Sequence, residues 1–168
     1  MKYLNTGILI CLMLVTVSCA KRQVIKQAPD SVTVAVPVAP VNNKEPDIRN
    51  TKAEPTEVLK VVYFDFDKSE LSGETLQLLK TNASYMRSFD SAIFCIEGHC
   101  DSRGTVEYNL ALGQRRAYVV REYYKMLGIP ANRIATISYG SEKPAVEGTG
   151  EEVWAKNRRA ETKFIYNN

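Results

Sequence analysis

The sequence predicts an α/β fold, an α+β sandwich of βαβαβ type in which a mixed four-stranded sheet carries helices packed on it. Three observations predict it. Strand-like and helix-like runs alternate from Glu57 to the end of the 168-residue chain. Two of the intervening segments carry apolar residues at helical spacing. The stretch involved, about 110 residues, is long enough to bury a core without metals or disulfides.

The elements follow in order. Val58 to Phe66 is rich in Val, Tyr and Phe, which suit a pleated, half-buried surface, and reads as the first strand. Ser72, followed by Gly-Glu-Thr, is an N-cap signal, and Leu76, Leu79, Ala83 and Met86 then recur on one helical face. Ala92 to Glu97 is the second strand, closed by Gly98. Glu107 to Leu127 is the second helix, with Leu110, Ala117, Val120, Tyr124 and Leu127 as its stripe and Gly128 as its stop. Arg133 to Tyr139 is the third strand. A loop containing Gly140, Pro144, Gly148 and Gly150 leads to a short helix, Glu151 to Asn157, and to the last strand, Ala160 to Tyr166.

Ahead of this domain the chain changes character twice. Residues 1–18 hold Lys2, an apolar run from Gly7 to Val17, and Ser18 before Cys19, the pattern of a secretory signal. The run is shorter than the ~20 residues a spanning helix needs. Thr16-Val17-Ser18-Cys19 resembles a bacterial lipobox, with Thr16 where Leu is more usual, so Cys19 is the expected lipidation site and first mature residue. Ala20, rather than an aspartate, follows it. By resemblance to the sorting rule of enteric bacteria, this directs the expected anchor to the outer membrane. Residues 19–56 then read as a flexible tether, because five of the seven prolines lie between Ala20 and Thr56, with no aromatic residue. Fully extended, it would reach about 120 Å.

Net charge is +3, and Lys2 leaves with the signal, so nothing suggests a nucleic-acid footprint. Of four cysteines, Cys11 lies in the signal and Cys19 takes the lipid. Cys95 and Cys100 remain, and their spacing leaves both a disulfide and two free thiols open.

Three segments carry a family resemblance. They are Tyr63-Phe-Asp-Phe-Asp-Lys-Ser-Glu-Leu71, the run from Gly98-His-Cys-Asp-Ser-Arg-Gly to Gln-Arg-Arg-Ala117, and Thr136-Ile-Ser-Tyr-Gly-Ser-Glu-Lys-Pro144 with Trp154-Ala-Lys-Asn-Arg-Arg-Ala-Glu161. Their order and spacing resemble the OmpA-like C-terminal domain, nearest to its peptidoglycan-associated lipoprotein branch, Pal, over residues 58–168. The one departure is Cys100, where Thr or Ala is usual, and it bears on the local redox state. The resemblance implies a non-catalytic domain that binds peptidoglycan through the diaminopimelate of the peptide stem, with no cofactor and no metal. It further implies a Tol–Pal-like role in envelope integrity and cell division, and a TolB-like periplasmic propeller as partner.

Diaminopimelate carries an ammonium and a carboxylate on one carbon, so it calls for an anion and a cation at fixed separation, with Arg suited to the carboxylate. By position in the motif, Asp101 matches the family's ammonium-binding aspartate and Arg116 its carboxylate-binding arginine. Arg116 lies about 13 Å along the second helix, and long helical side chains lean back toward the N-terminus, which narrows the gap. Asn109, Leu112 and Arg116 share a stripe at i, i+3 and i+7. Phe66 and Asp67 correspond to the family's pocket wall and a further polar contact.

Other readings compete. Alone, Asp101 reads as a turn cap and Arg116 as a surface arginine; their joint place in the motif favours the site. Arg115 reads as a solvated neighbour, His99 as a satisfied structural histidine, Trp154 as core, and the run Asn157-Arg158-Arg159 as lining the site edge or as supports pairing with Asp65 or Glu97. An enzymatic alternative is a haloacid-dehalogenase-type phosphatase using Asp65 and Asp67, which would share a face if the strand ran through them. A further alternative is a lipoprotein that binds a protein partner and no wall.

Overall fold

The computed structural model describes residues 45–48 and 51–167, so the signal, Cys19 and most of the tether lie outside the described residues. Five strands and three α-helices run in the order β1 (Thr51–Glu54), β2 (Val62–Tyr63), α1 (Gly73–Arg87), β3 (Ile93–His99), α2 (Val106–Met126), β4 (Ile134–Gly140), α3 (Glu151–Asn157) and β5 (Arg159–Asn167). The sheet is mixed. Strand β3 pairs parallel with β4 on one side and antiparallel with β5 on the other. The outer edge of β5 is shared by β1, opposite Phe164–Asn167, and by β2, opposite Arg159 and Ala160.

Both long helices begin on side-chain caps. Ser72 Oγ accepts from the Thr75 amide and Thr105 Oγ1 from the Tyr108 amide, which satisfies one orphan donor of each first turn. Helix α2 ends at Gly128, whose φ of +90° is open to glycine at little cost. Among the described residues no helix is long and apolar enough to cross a membrane.

The helices cover one face of the sheet. Phe94 and Ile96 of β3 meet Leu79, Ala83 and Met86 of α1 and Ala117, Val120 and Tyr124 of α2 in the main core. Within it, the Tyr124 hydroxyl bonds Asn82 Nδ2 and Thr162 Oγ1, each at 3.1 Å, and Asn82 also pairs with both backbone groups of Lys60. This buried polar node ties α1, α2, β5 and the chain before β2 together, and every Asn82 side-chain atom that can bond does so.

The second face carries a smaller apolar cluster of Cys95, Ala135 and Ile165, packed by Ile48 and Ala53. Two expectations change here. Residues 51–54, read from composition as the end of the tether, form an edge strand, and Glu45 accepts from Thr136 and pairs with Arg121 at 3.3 Å. The sheet therefore has five strands rather than four, and the folded unit starts before residue 57. Conversely, Val58 to Phe66 is a paired strand only at Val62–Tyr63. The Lys60 amide is taken by the Asn82 side chain and the Phe64 amide by the Arg158 carbonyl, so no ladder forms there.

Cys95 and Cys100 are both free and buried. Cys95 lies in the second-face cluster, whereas Cys100 faces α2 and donates to the Asn109 carbonyl at 3.3 Å. Burial, reinforced by Glu97, pushes the Cys95 thiol up to about 12, and burial raises Cys100 as well.

Candidate ligand-binding site at the end of the central strand

Strand β3 and helix α2 approach so closely that their position is fixed by glycine. A Cβ on Gly98 would lie 1.9 Å from the Gly113 carbonyl oxygen, and one on Gly113 would lie 2.3 Å from Ser138 Oγ. The helix thus rests directly on the strand. The residues just past β3 and those on the first half of α2 are brought to one place.

That place is a cavity of about 160 Å³ lined by Phe66, Asp67, Cys100, Asp101, Arg103, Gly104, Tyr108, Asn109, Leu112 and Arg116. All six ligand-binding candidates read from the sequence line it. A cavity near 150 Å³ accommodates a group of about six heavy atoms, the size of one charged amino-acid terminus rather than a sugar.

Asp101 is buried and held from two sides. Its Oδ1 accepts from the Arg103 amide (3.1 Å) and Nε (3.2 Å), and its Oδ2 from Arg103 Nη2 (2.6 Å) and Arg158 Nη1 (3.5 Å). Burial works to raise its pKa, but the Arg103 hydrogen bonds and charge, with help from Arg158, outweigh it and hold the carboxyl below the usual range. Arg158 also bonds Glu151 at 2.6 Å and the Phe64 carbonyl at 3.0 Å. Arg158 contacts Asp101 at the site edge, one of the two places expected for this run, and the pairs that Arg158 and Arg159 make are with Glu151 and Glu161 rather than with Asp65 or Glu97.

Arg116 is fully buried, at 0% exposure. Its Nε donates to the Lys68 carbonyl (2.9 Å), Nη1 to the His99 carbonyl (2.8 Å) and Nη2 to the Asp65 carbonyl (3.1 Å), with Nη1 also 3.5 Å from Cys100 Sγ. It is therefore not a surface arginine: it lines the cavity from a buried position. It ties the 65–68 turn and the end of β3 to α2.

The exposed cation of the cavity is Arg103, which the sequence reading passed over. Its side chain is 31% exposed, and Cζ lies 3.9 Å from the Phe66 ring centroid and 4.2 Å from that of Trp154. Trp154, expected in the core, is a partly buried wall of this stack. Asp67 adopts φ +57°, a region that Asp tolerates better than most residues, and accepts a short hydrogen bond from the Tyr108 hydroxyl. Gly104, at φ +92°, turns the chain into the Thr105 cap. Asn109 Nδ2 donates to the Arg103 carbonyl at 2.8 Å, which secures the same turn.

The description of the OmpA family matches residues 63–158, more than half of the chain. The chain belongs to the OmpA family. Within it, the chain is 50% identical over 99 residues to the peptidoglycan-associated lipoprotein of Haemophilus influenzae, an alignment covering 59% of this chain and 65% of that one. It is 44% identical over 101 residues to that of Brucella melitensis, covering 60% of each. The chain spans under two thirds of the length of these relatives. The crystal structure of the peptidoglycan-associated lipoprotein from Burkholderia pseudomallei matches at 42% identity and a TM-score of 0.61, over 62% of this chain and 89% of that one. The C-terminal domain of Helicobacter pylori MotB, 20% identical with a TM-score of 0.60 over 65% of this chain and 85% of that one, shares the fold. The OmpA-like α/β fold expected from the sequence, a mixed sheet carrying helices, is the one observed.

The phosphatase alternative needed Asp65 and Asp67 on one face of a strand. The strand stops at Tyr63, Asp65 pairs with Lys68 at 3.1 Å, and it lines a separate open cleft with Glu70 and Glu152, away from Asp67. On the far face of β3, His99 is buried and stacks on Tyr139 at 5.6 Å, but it is not the satisfied histidine expected: neither ring nitrogen makes a hydrogen bond among the described residues, and Nε2 lies 3.7 Å from Glu97 Oε2.

Three carboxylates are held below their ordinary range. Glu97 and Glu161 join Asp101, burial being outweighed by His99 and Lys163 for Glu97 and by Arg159 and Lys163 for Glu161. A carboxyl depressed in the folded state contributes stability that is present above its unfolded pKa and lost as pH falls through the folded one. Thermal unfolding measured against pH is expected to show a Tm that starts to fall near the ordinary carboxylate pKa of about 4 and drops further below it. Asp101→Asn is expected to flatten that fall; an unchanged slope would sink the assignment.

Proposed function

We propose that this chain is a peptidoglycan-binding lipoprotein of the outer membrane, anchored through a lipid on Cys19, with the domain facing the periplasm. The cavity between Asp101, Arg103 and α2 receives the zwitterionic carbon of diaminopimelate in uncrosslinked peptide stems. The observation that carries this reading is the convergence of Asp101, Asn109, Leu112, Phe66, Asp67 and Arg116 on one cavity sized for a charged amino-acid terminus. The relatives' names point the same way. Asp101 supplies the anion for the ligand ammonium. Phe66 and Leu112 flank the ion pairs with apolar surface, and the lower local dielectric strengthens them. No step of this reading is catalytic. Many anchored copies facing one polymer raise the effective concentration, so modest single-site affinity still holds the membrane to the wall.

A TolB-like propeller, in a Tol–Pal-like system, is the proposed protein partner. Phe66, Tyr108 and Val106 lie exposed by 45–56% around the cavity or on the adjoining turn of α2, an apolar rim suited to a protein surface. Wall and partner would then compete.

The test is co-sedimentation of the full chain, in mild detergent, with purified diaminopimelate-containing peptidoglycan. The parent is expected in the pellet, and Asp101→Ala, folded by circular dichroism, in the supernatant. A parent that stays in solution would move partner binding to first place.

A further inference from the structure

We propose that residues 45–48 form a strap across the second face of the sheet. The strap opens and closes on the folded domain, which sets where the tether leaves it and covers or bares Cys95. Glu45 stands on the β4 side, where it accepts from Thr136 Oγ1 at 3.2 Å and pairs with Arg121 Nε at 3.3 Å. Ile48 packs on the cluster of Cys95, Ala135 and Ile165. Thr51 then begins β1, beyond β5. The chain thus crosses from β4 over β3 to the opposite edge of the sheet. Of the apolar side chains packed on that cluster, Ile93, Ile137 and Ala53 belong to strands of the sheet. Among the described residues, Ile48 is the one that comes from outside it.

The strap is held more weakly than β1. Four residue pairs fasten Thr51–Glu54 to β5, whereas residues 45–48 belong to no strand. The Glu45 carboxylate is 38% exposed, Ile48 is half-buried, and Pro46 has no N–H to offer. An ion pair open to solvent contributes little. Opening also leaves no buried charge without a partner. Arg121 keeps the Ile134 carbonyl at 3.1 Å and Glu122 at 3.4 Å, and Thr136 Oγ1 keeps Gln114 Nε2 at 3.0 Å. Segments with so few buried contacts open locally, well before the whole domain does. Thr51 is the hinge, its amide and hydroxyl both donating to the Ile48 carbonyl, at 3.2 and 2.9 Å.

Opening moves the last fixed point of the tether from Glu45 to Thr51, six residues on, which is about 20 Å of extended chain. The added reach between a Cys19 anchor and the wall rests on the function proposed above; the strap itself does not. Opening also uncovers Cys95, which is 1% exposed under the closed strap. Cys100 faces α2, on the other side of the sheet, and the strap does not cover it.

Thiol labelling separates the two cysteines. The full mature chain in mild detergent is treated with N-ethylmaleimide, and the rates at Cys95 and Cys100 are read by peptide mass spectrometry. Ile48→Ser is expected to speed Cys95 about 5- to 30-fold while Cys100 keeps its parent rate. Ile48→Leu is expected to label as the parent does, and Glu45→Gln to quicken Cys95 by a smaller factor. None of these rates depends on wall binding, so a chain that failed to sediment with peptidoglycan would leave the result standing. A Cys95 rate that neither Ile48→Ser nor Glu45→Gln changes would overturn the strap, because nothing at residues 45–48 would then gate the thiol. Cys95 and Cys100 quickened by the same factor would overturn it too, since the domain would then open as one unit. If Ile48→Ser does not fold, Glu45→Gln decides alone.

Discussion

Replacing Arg116 with leucine is expected to destabilise the domain by about 4 kcal/mol, through the main-chain acceptors it leaves unsatisfied. Three main-chain carbonyls, of Asp65, Lys68 and His99, depend on this guanidinium. Leaving a buried acceptor unsatisfied costs on the order of 1–3 kcal/mol each. Against a total stability of about 5–15 kcal/mol, the loss is a large fraction. Thermal melting monitored by circular dichroism is expected to show a Tm lower by roughly 15 °C. Arg115→Leu, at the exposed neighbouring position, is the control and is expected to melt with the parent. An Arg116→Leu protein that melts with the parent would refute the scaffolding role.

Gly98→Ala is expected to cost about 3 kcal/mol or more, through a backbone collision no rotamer change relieves. The added Cβ would sit 1.9 Å from the Gly113 oxygen and 2.6 Å from its carbonyl carbon. Helix α2 must lift or β3 must bend. Either displacement moves Asn109, Leu112 and Arg116 away from Asp101, so the site is expected to loosen even in protein that still folds. Gly73→Ala is the matched control, since a Cβ there meets nothing within 4 Å; a helical Gly→Ala change is expected to be neutral or mildly stabilising. Chemical denaturation of the two variants measures the contrast. Equal midpoints would refute the close approach of α2 and β3.

How much of this was legible in the sequence depended on whether the information was local. Both helix starts were, the first because Ser72 carries capping chemistry with the apolar spacing following at once, the second because the stripe from Leu110 marks it; its Thr105 cap appears only in the structure. Helix α2 was expected to start at Glu107 and starts at Val106, and the short helix Glu151–Asn157 lies where expected. The edge strands were not legible. Thr51–Glu54 is polar and flanked by Pro46 and Pro55, and only the free edge of β5 makes it a strand. Val58 to Phe66 has strand composition, but Asn82 and Arg158 claim its backbone from elsewhere in the chain.

The site divides the same way. Asp101 and Arg116 were placed by the motif, and the structure sets both on one cavity. Whether an arginine faces solvent or main-chain carbonyls is a tertiary fact, and spacing along a helix is silent on it. Arg103 carried a signal that went unread. It stands two residues after an aspartate that follows a strand, where the aspartate side chain commonly caps the i+2 amide. That bond, from the Arg103 amide to Asp101 Oδ1, brings the Arg103 side chain back over the same carboxylate.

The edge strand β1 has a mechanical consequence. It pairs with the last residues of β5, whereas the cavity lies beyond Gly98, which pairs with Ala160 near the start of β5. The chain therefore enters the sheet at one end and the cavity opens at the other. A pull delivered through Thr51 against a ligand held at Asp101 runs along the strands, so the four β1–β5 residue pairs resist together in shear instead of opening one at a time like a zipper.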